Sequence, residues 1–149
     1  MKTMDYTVII NELLKKKAYL ADIFPKKVPH KEDGRYFRVE KFFQRRRSEL
    51  ERKFTNILLK LYCWFDFVIA VQENIIEYPG TEQLIKALEG CFGCDTYCFN
   101  IILPDNNALL TLNSDDLYMC VYNAEGELKE LISQLVRAEG LFFYEAPEC

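Results

Sequence analysis

Apolar residues recur at helical spacing from the start of the chain. Ile10, Leu13, Leu14, Ala18, Ala21 and Phe24 follow Asp5, whose carboxylate suits an N-cap, and the pattern predicts an amphipathic helix over residues 5–22 that stops before Pro25. Residues 25–34 hold two prolines, a glycine and mostly charged side chains, the composition of an exposed loop. From about Glu40 a second stripe of Phe43, Leu50, Phe54, Ile57, Leu58 and Leu61 predicts a long helix with a basic outer face, on which Arg47 and Glu51 are spaced to pair.

Residues 61–71 are almost wholly apolar. Their β-branched content favours a buried strand over 65–72, although periodicity alone leaves open a continuation of the preceding helix. The run is shorter than the roughly 18 residues a membrane span requires and is broken by Asp66. After Pro79 and Gly80, Thr81 is placed to cap a short helix that buries Leu84, Ile85 and Leu88 and ends at Gly90.

Three apolar runs, 97–103, 108–112 and 117–122, are separated by Pro104, Asp105, Asn106 and Asn107 and then by Asn113, Ser114, Asp115 and Asp116. These are turn compositions at hairpin spacing, so the region reads as an antiparallel meander. In its third run Leu117, Met119 and Val121 share one face and Tyr118, Cys120 and Tyr122 the other, so both faces are expected to be at least partly covered. Asn123 is positioned to cap a last helix carrying Leu128, Leu131, Ile132, Leu135 and Val136, closed by Gly140 and followed by an edge strand over 141–144. The expected fold is α+β: N-terminal helices packed with a mostly antiparallel sheet that contains the meander, then an amphipathic helix and an edge strand, all in one domain over residues 1–149.

Composition sharpens this picture through charge. The 149 residues are half apolar and carry a net charge of −4, which excludes disorder. Residues 1–60 hold 16 basic against 8 acidic side chains and residues 61–149 hold 3 against 15, so the small net value is the remainder of +8 and −12. The chain thus divides into a basic helical part, 1–60, and an acidic part that contains the sheet.

Catalytic inventory is thin. The one histidine, His30, stands in the predicted loop, and Ser48, Ser114 and Ser133 lack a nucleophile-elbow context. No closely spaced glycines lie between a strand and a helix to cradle a phosphate. Cys91, Cys94 and Cys98 form the sharpest local cysteine pattern, and two thiolates separated by two residues can grip one zinc or iron. A second pair is missing, so core packing is the competing reading and no cofactor is expected. Asx residues at the two turns are read as turn chemistry rather than metal ligands. With no export signal and a full-sized core, the six cysteines are expected to stay reduced in a cytoplasmic protein.

These readings point to a non-enzymatic protein–protein interaction module, of inhibitor, adaptor or toxin-neutralising type. Its acidic surface, including Asp115, Asp116, Glu125 and Glu127, would steer a basic protein partner. The alternative is a nucleic-acid-binding protein in which Arg35, Arg38, Arg45, Arg46 and Arg47 contact phosphates while Tyr36, Phe37, Phe42 and Phe43 stack on bases; a purely structural role is a third reading. No membrane partner is expected, and a homo-oligomer stays open.

Overall fold

The computed structural model describes residues 5–29, 33–71, 74–92, 98–113 and 116–147. In chain order the elements are α1 (Tyr6–Leu13), β1 (Ala18–Asp22), α2 (Asp33–Arg45), α3 (Arg47–Tyr62), β2 (Val68–Val71), β3 (Asn74–Glu77), α4 (Thr81–Phe92), β4 (Cys98–Leu103), β5 (Ala108–Asn113), β6 (Met119–Tyr122), α5 (Gly126–Ala138) and β7 (Phe142–Glu145). The strands form one antiparallel sheet in the order β3-β2-β4-β5-β6-β1-β7, which establishes the α+β class.

The first helix is shorter than the periodicity predicts. Asp5 caps it as expected, its carboxylate accepting from the N–H groups of Thr7 and Val8 at 3.1 and 3.4 Å, but the helix ends at Leu13 and residues 18–22 form β1. This strand lies between β6 and β7, with Leu20 opposite both Cys120 and Tyr144. Two flanking strands satisfy both edges of its backbone, which outweighs the local helical spacing of Ala18 and Ala21. The strand also ties the basic part to the acidic part, because residues from 1–60 sit inside the sheet built by 61–149.

The predicted long helix is two. Its chain breaks at Arg46, whose backbone leaves the helical region at φ −110° and ψ 29°. Leu50, Phe54, Ile57, Leu58 and Leu61 of α3 are buried as predicted, whereas Phe43, on the α2 side of the break, is not. Leu61, Phe67, Val68 and Ile69 are fully buried within the monomer, and the chain turns from helix to strand between Tyr62 and Val68.

The sheet has two unlike faces. On one, α3, α4 and α5 cover Ile69, Phe99, Ile101, Leu110 and Val121, whose alternation with the opposite face follows the pleat. On the other, Tyr6 and Leu13 of α1 cover Val68, Ile102 and Leu109. On the rest of that second face, Leu20 and Asp22 of β1, Cys120 of β6 and Tyr144 of β7 border a cavity bounded above by Phe24, Lys26, Lys27 and Val28 and by Tyr36 of α2.

Two local expectations change. The helix α4 runs through Gly90 to Phe92, because Leu84, Leu88 and Cys91 continue its buried stripe. Asn123 stands before α5 in the left-handed region at φ 61°, and Glu125 occupies the N-cap position. Gly140 does close α5: at φ 77° it lets Gly140 N–H bond Arg137 O at 3.0 Å and Leu141 N–H bond Val136 O at 3.2 Å, a Schellman arrangement. Among the described residues, no helix is long and apolar enough to cross a membrane.

Candidate functional site

The break at Arg46 sorts the consecutive arginines into different environments. Arg47, at the start of α3, is folded inward: its Nη1 donates to Asp116 O at 2.8 Å and its Nη2 to Asn113 O at 2.9 Å, while Nε faces Glu51 Oε1 at 3.5 Å. That Nε is buried and makes no aligned hydrogen bond, so the contact with Glu51 is an ion pair only. Burial pushes the Glu51 carboxyl up and the Arg47 charge only partly offsets it. Arg47 therefore belongs to the architecture, clamping the β5–β6 turn to α3.

Arg35, Arg38, Lys41, Arg45 and Arg46 are all exposed. At about 100° per residue, Arg38, Phe42 and Arg45 fall within about 60° of one another, opposite Tyr36 and Glu40, with Arg35 and Arg46 flanking them. The rings share this outer surface with the cations. Phe37 is 54% and Phe42 49% exposed; Lys41 Nζ lies 4.5 Å from the Phe37 ring centre and the Arg46 guanidinium 4.7 Å from that of Phe42. Phe42 in turn meets Phe43 edge-on at 5.5 Å. Glu40 is half-buried and faces the Tyr36 hydroxyl, so its charge is turned away from the cationic side.

The acidic residues are distributed differently. Asp116 lies at the β5–β6 turn, where its side chain accepts from Asn113 Nδ2 at 3.1 Å. Glu125 and Glu127 lie at the start of α5, beyond the other end of β6. The strand separates them from Asp116, and Asp115 falls outside the described residues. Helices α4 and α5, with Glu82, Glu89, Glu127 and Glu130, pack on the sheet face opposite the one α2 overlies.

Nor do the described cysteines converge. Cys91 is fully buried among the residues beneath α3, α4 and α5, whereas Cys98 opens β4 on the other face, opposite Asn113. Burial raises the Cys98 thiol pKa, with the Asp116 charge adding to it. Cys94 and His30 lie outside the described residues. Among the described residues, no group of three His, Cys, Asp or Glu side chains is placed to hold a metal ion.

The inner side of α2 meets a constellation that sequence reasoning missed. Tyr36 packs on Phe24 with ring centres 5.8 Å apart, and the two help to enclose a cavity of about 380 Å³ floored by Leu20, Asp22, Cys120 and Tyr144. Asp22 is 8% exposed. Its carboxylate accepts from the Tyr144 hydroxyl at 2.6 Å, and the backbone N–H groups of Phe24 and Ile23 lie near enough to favour its charged form. Burial raises its pKa against the opposing pull of those three donors. Burial likewise pushes Tyr36 and Tyr118 up to about 12 and raises Tyr144, so all three phenols stay neutral at physiological pH. The two-residue spacing of Tyr118 and Cys120 was the one local signal of this face.

No protein family, no characterised protein and no solved structure matches the chain.

Proposed function

We propose that the protein is a non-enzymatic binding module that holds single-stranded nucleic acid on the outer surface of α2. The observation that carries this reading is that Arg38, Phe42 and Arg45 of α2, with Arg46 just past its end, share one exposed side, while Glu40 is turned inward. Guanidinium groups grip phosphates through paired N–H donors, and exposed rings among them offer faces on which any base can stack. A helix built for a lipid surface gathers its apolar residues on a face separate from the charges. Here Phe42 lies inside the arginine arc and Phe37 beside Lys41. The acidic helices α4 and α5 occupy the other side of the sheet, which reduces their repulsion of a polyanion.

Fluorescence anisotropy with labelled single-stranded DNA and RNA at increasing salt tests the proposal. Three to five phosphate contacts give a slope of log K against log salt of roughly −2 to −3.5. Replacing Arg38 and Arg45 together by alanine is expected to flatten it by about 1.4. Phe42→Ala is expected to weaken binding without changing the slope, because stacking releases no counterions. Absence of binding at low salt, or indifference to the arginine pair, refutes the proposal.

A further inference from the structure

The cavity on the inner side of α2 is independent of the helix's outer surface and calls for a different ligand. Among the described residues, Asp22 makes no ion pair: the group bonded to its carboxylate is the neutral Tyr144 hydroxyl. An ionised carboxylate offers about four acceptor positions, of which the Tyr144 hydroxyl fills one. Asp22 lines a space walled by Phe24, Tyr36 and Tyr118, which leaves its other acceptor positions for a ligand. Aromatic faces attract cations, and their attraction grows where water is excluded. Glu40 and Asp116 stand close enough to act on the Tyr118 phenol and add negative potential from the sides.

At the mouth the sign reverses. Lys26 and Lys27, from the segment after Phe24, line the cavity together with Val28. The floor therefore takes a cation, the walls an apolar body and the rim an anion. At about 380 Å³ the space lies in the range of roughly 300–1,000 Å³ typical of small-molecule sites.

We propose that this cavity binds a small amphoteric amine, with its ammonium group on Asp22, its apolar middle between the rings of Phe24, Tyr36 and Tyr118, and its acidic end at Lys26 and Lys27.

The probes are aminohexanoate, hexylamine and hexanoate, which carry both ends, the amine alone and the acid alone. Calorimetric titration of the full chain is expected to rank aminohexanoate above hexylamine, with hexanoate giving no saturable binding. Asp22→Asn keeps the shape and an acceptor for Tyr144 but removes the charge, and is expected to weaken both amines by about tenfold or more. Replacing Lys26 and Lys27 by alanine is expected to bring aminohexanoate down to the level of hexylamine. Should Asp22→Asn fail to fold, Tyr118→Leu leaves the carboxylate in place and is expected to weaken both amines through loss of a ring face. Hexanoate binding as well as hexylamine, failure of both amines to bind, or amine binding indifferent to whichever of these variants folds overturns the proposal. Oligonucleotide binding is expected to be unchanged in Asp22→Asn, so the two proposals fail separately.

Discussion

If Arg47 is architecture and Arg45 is surface, two arginines two residues apart respond to alanine in opposite ways. Arg47→Ala removes two hydrogen bonds from a charged donor, to Asp116 O at 2.8 Å and Asn113 O at 2.9 Å. The first is part-buried and the second exposed, so the first is weighed at about 1.5–3 kcal/mol and the second at about 0.5–1. The expected loss is therefore about 2–4 kcal/mol at neutral pH, whereas Arg45→Ala is expected within about 0.5 kcal/mol. Urea unfolding measures both, with the midpoint moving and the slope unchanged. The pH dependence adds a second check. Burial already raises the Glu51 carboxyl pKa, and Arg47 is the influence that lowers it. Without Arg47 the folded-state pKa climbs further above the unfolded one, so stability is lost as pH rises through that window and regained on acidification. The penalty of Arg47→Ala is thus expected to be smaller below the ordinary carboxylate range than at neutrality. Equal effects of the two alanine variants at pH 7 would show that the arginines are not sorted by the break at Arg46.

Three further outcomes probe the fold and the cavity. Phe54→Ala, at a side chain 1% exposed, is expected to cost about 3–5 kcal/mol in urea unfolding; a cost under 1 would contradict its burial beneath the sheet. Asn123→Ala loses both a residue suited to φ 61° and the bond from Nδ2 to Asn107 O at 2.8 Å, for an expected cost of about 1–2 kcal/mol, with Asn123→Gly milder because glycine keeps the backbone conformation. For Asp22 the folded-state pKa lies above the unfolded one, so its stabilising contribution is present below the ordinary carboxyl pKa and disappears as pH rises through the raised value. Melting temperatures of wild type and Asp22→Asn should diverge in favour of the variant across that window, while the facing groups Tyr36, Tyr118, Tyr144 and Cys120, all raised, remain neutral. Parallel profiles refute the assignment.

What the chain discloses locally is what forms locally. The α3 stripe, the three runs of the meander and the glycine that closes α5 are each set by contacts within a few residues, and periodicity shows them. The segment 18–22 is different. Ala18 and Ala21 carry helical spacing, yet β1 is held by strands about 100 residues away, with Ala21 opposite Met119 and Phe143. Local spacing holds no record of partners that distant, so the helical period misleads for this interior strand. The helix break is similarly silent, since neither glycine nor proline marks Arg45, Arg46 and Arg47. It follows from packing: Leu50 and Phe54 are drawn onto the sheet while α2 stays outside the core.

The candidate sites divide along the same line. Five cations in or beside α2 are visible as a charge run, but a run cannot tell a solvated surface from a structural clamp, and Arg47 shows that one run contains both. The cavity was less legible still, because Asp22 and Tyr144 meet at 2.6 Å across 122 residues of sequence. The charge split of +8 and −12 acquires a physical meaning from this placement. Part of the positive charge is engaged within the chain, where Arg47 binds turn carbonyls and, on the surface, Lys17 pairs with Glu145 at 3.5 Å. Of what remains outward, Arg35, Arg38, Lys41, Arg45 and Arg46 lie in or beside α2, across the sheet from α4 and α5. A polarised chain folded in this way sets the exposed cations of α2 across the sheet from the carboxylates of α4 and α5, and it is on this separation that the proposed binding of a phosphate-bearing partner rests.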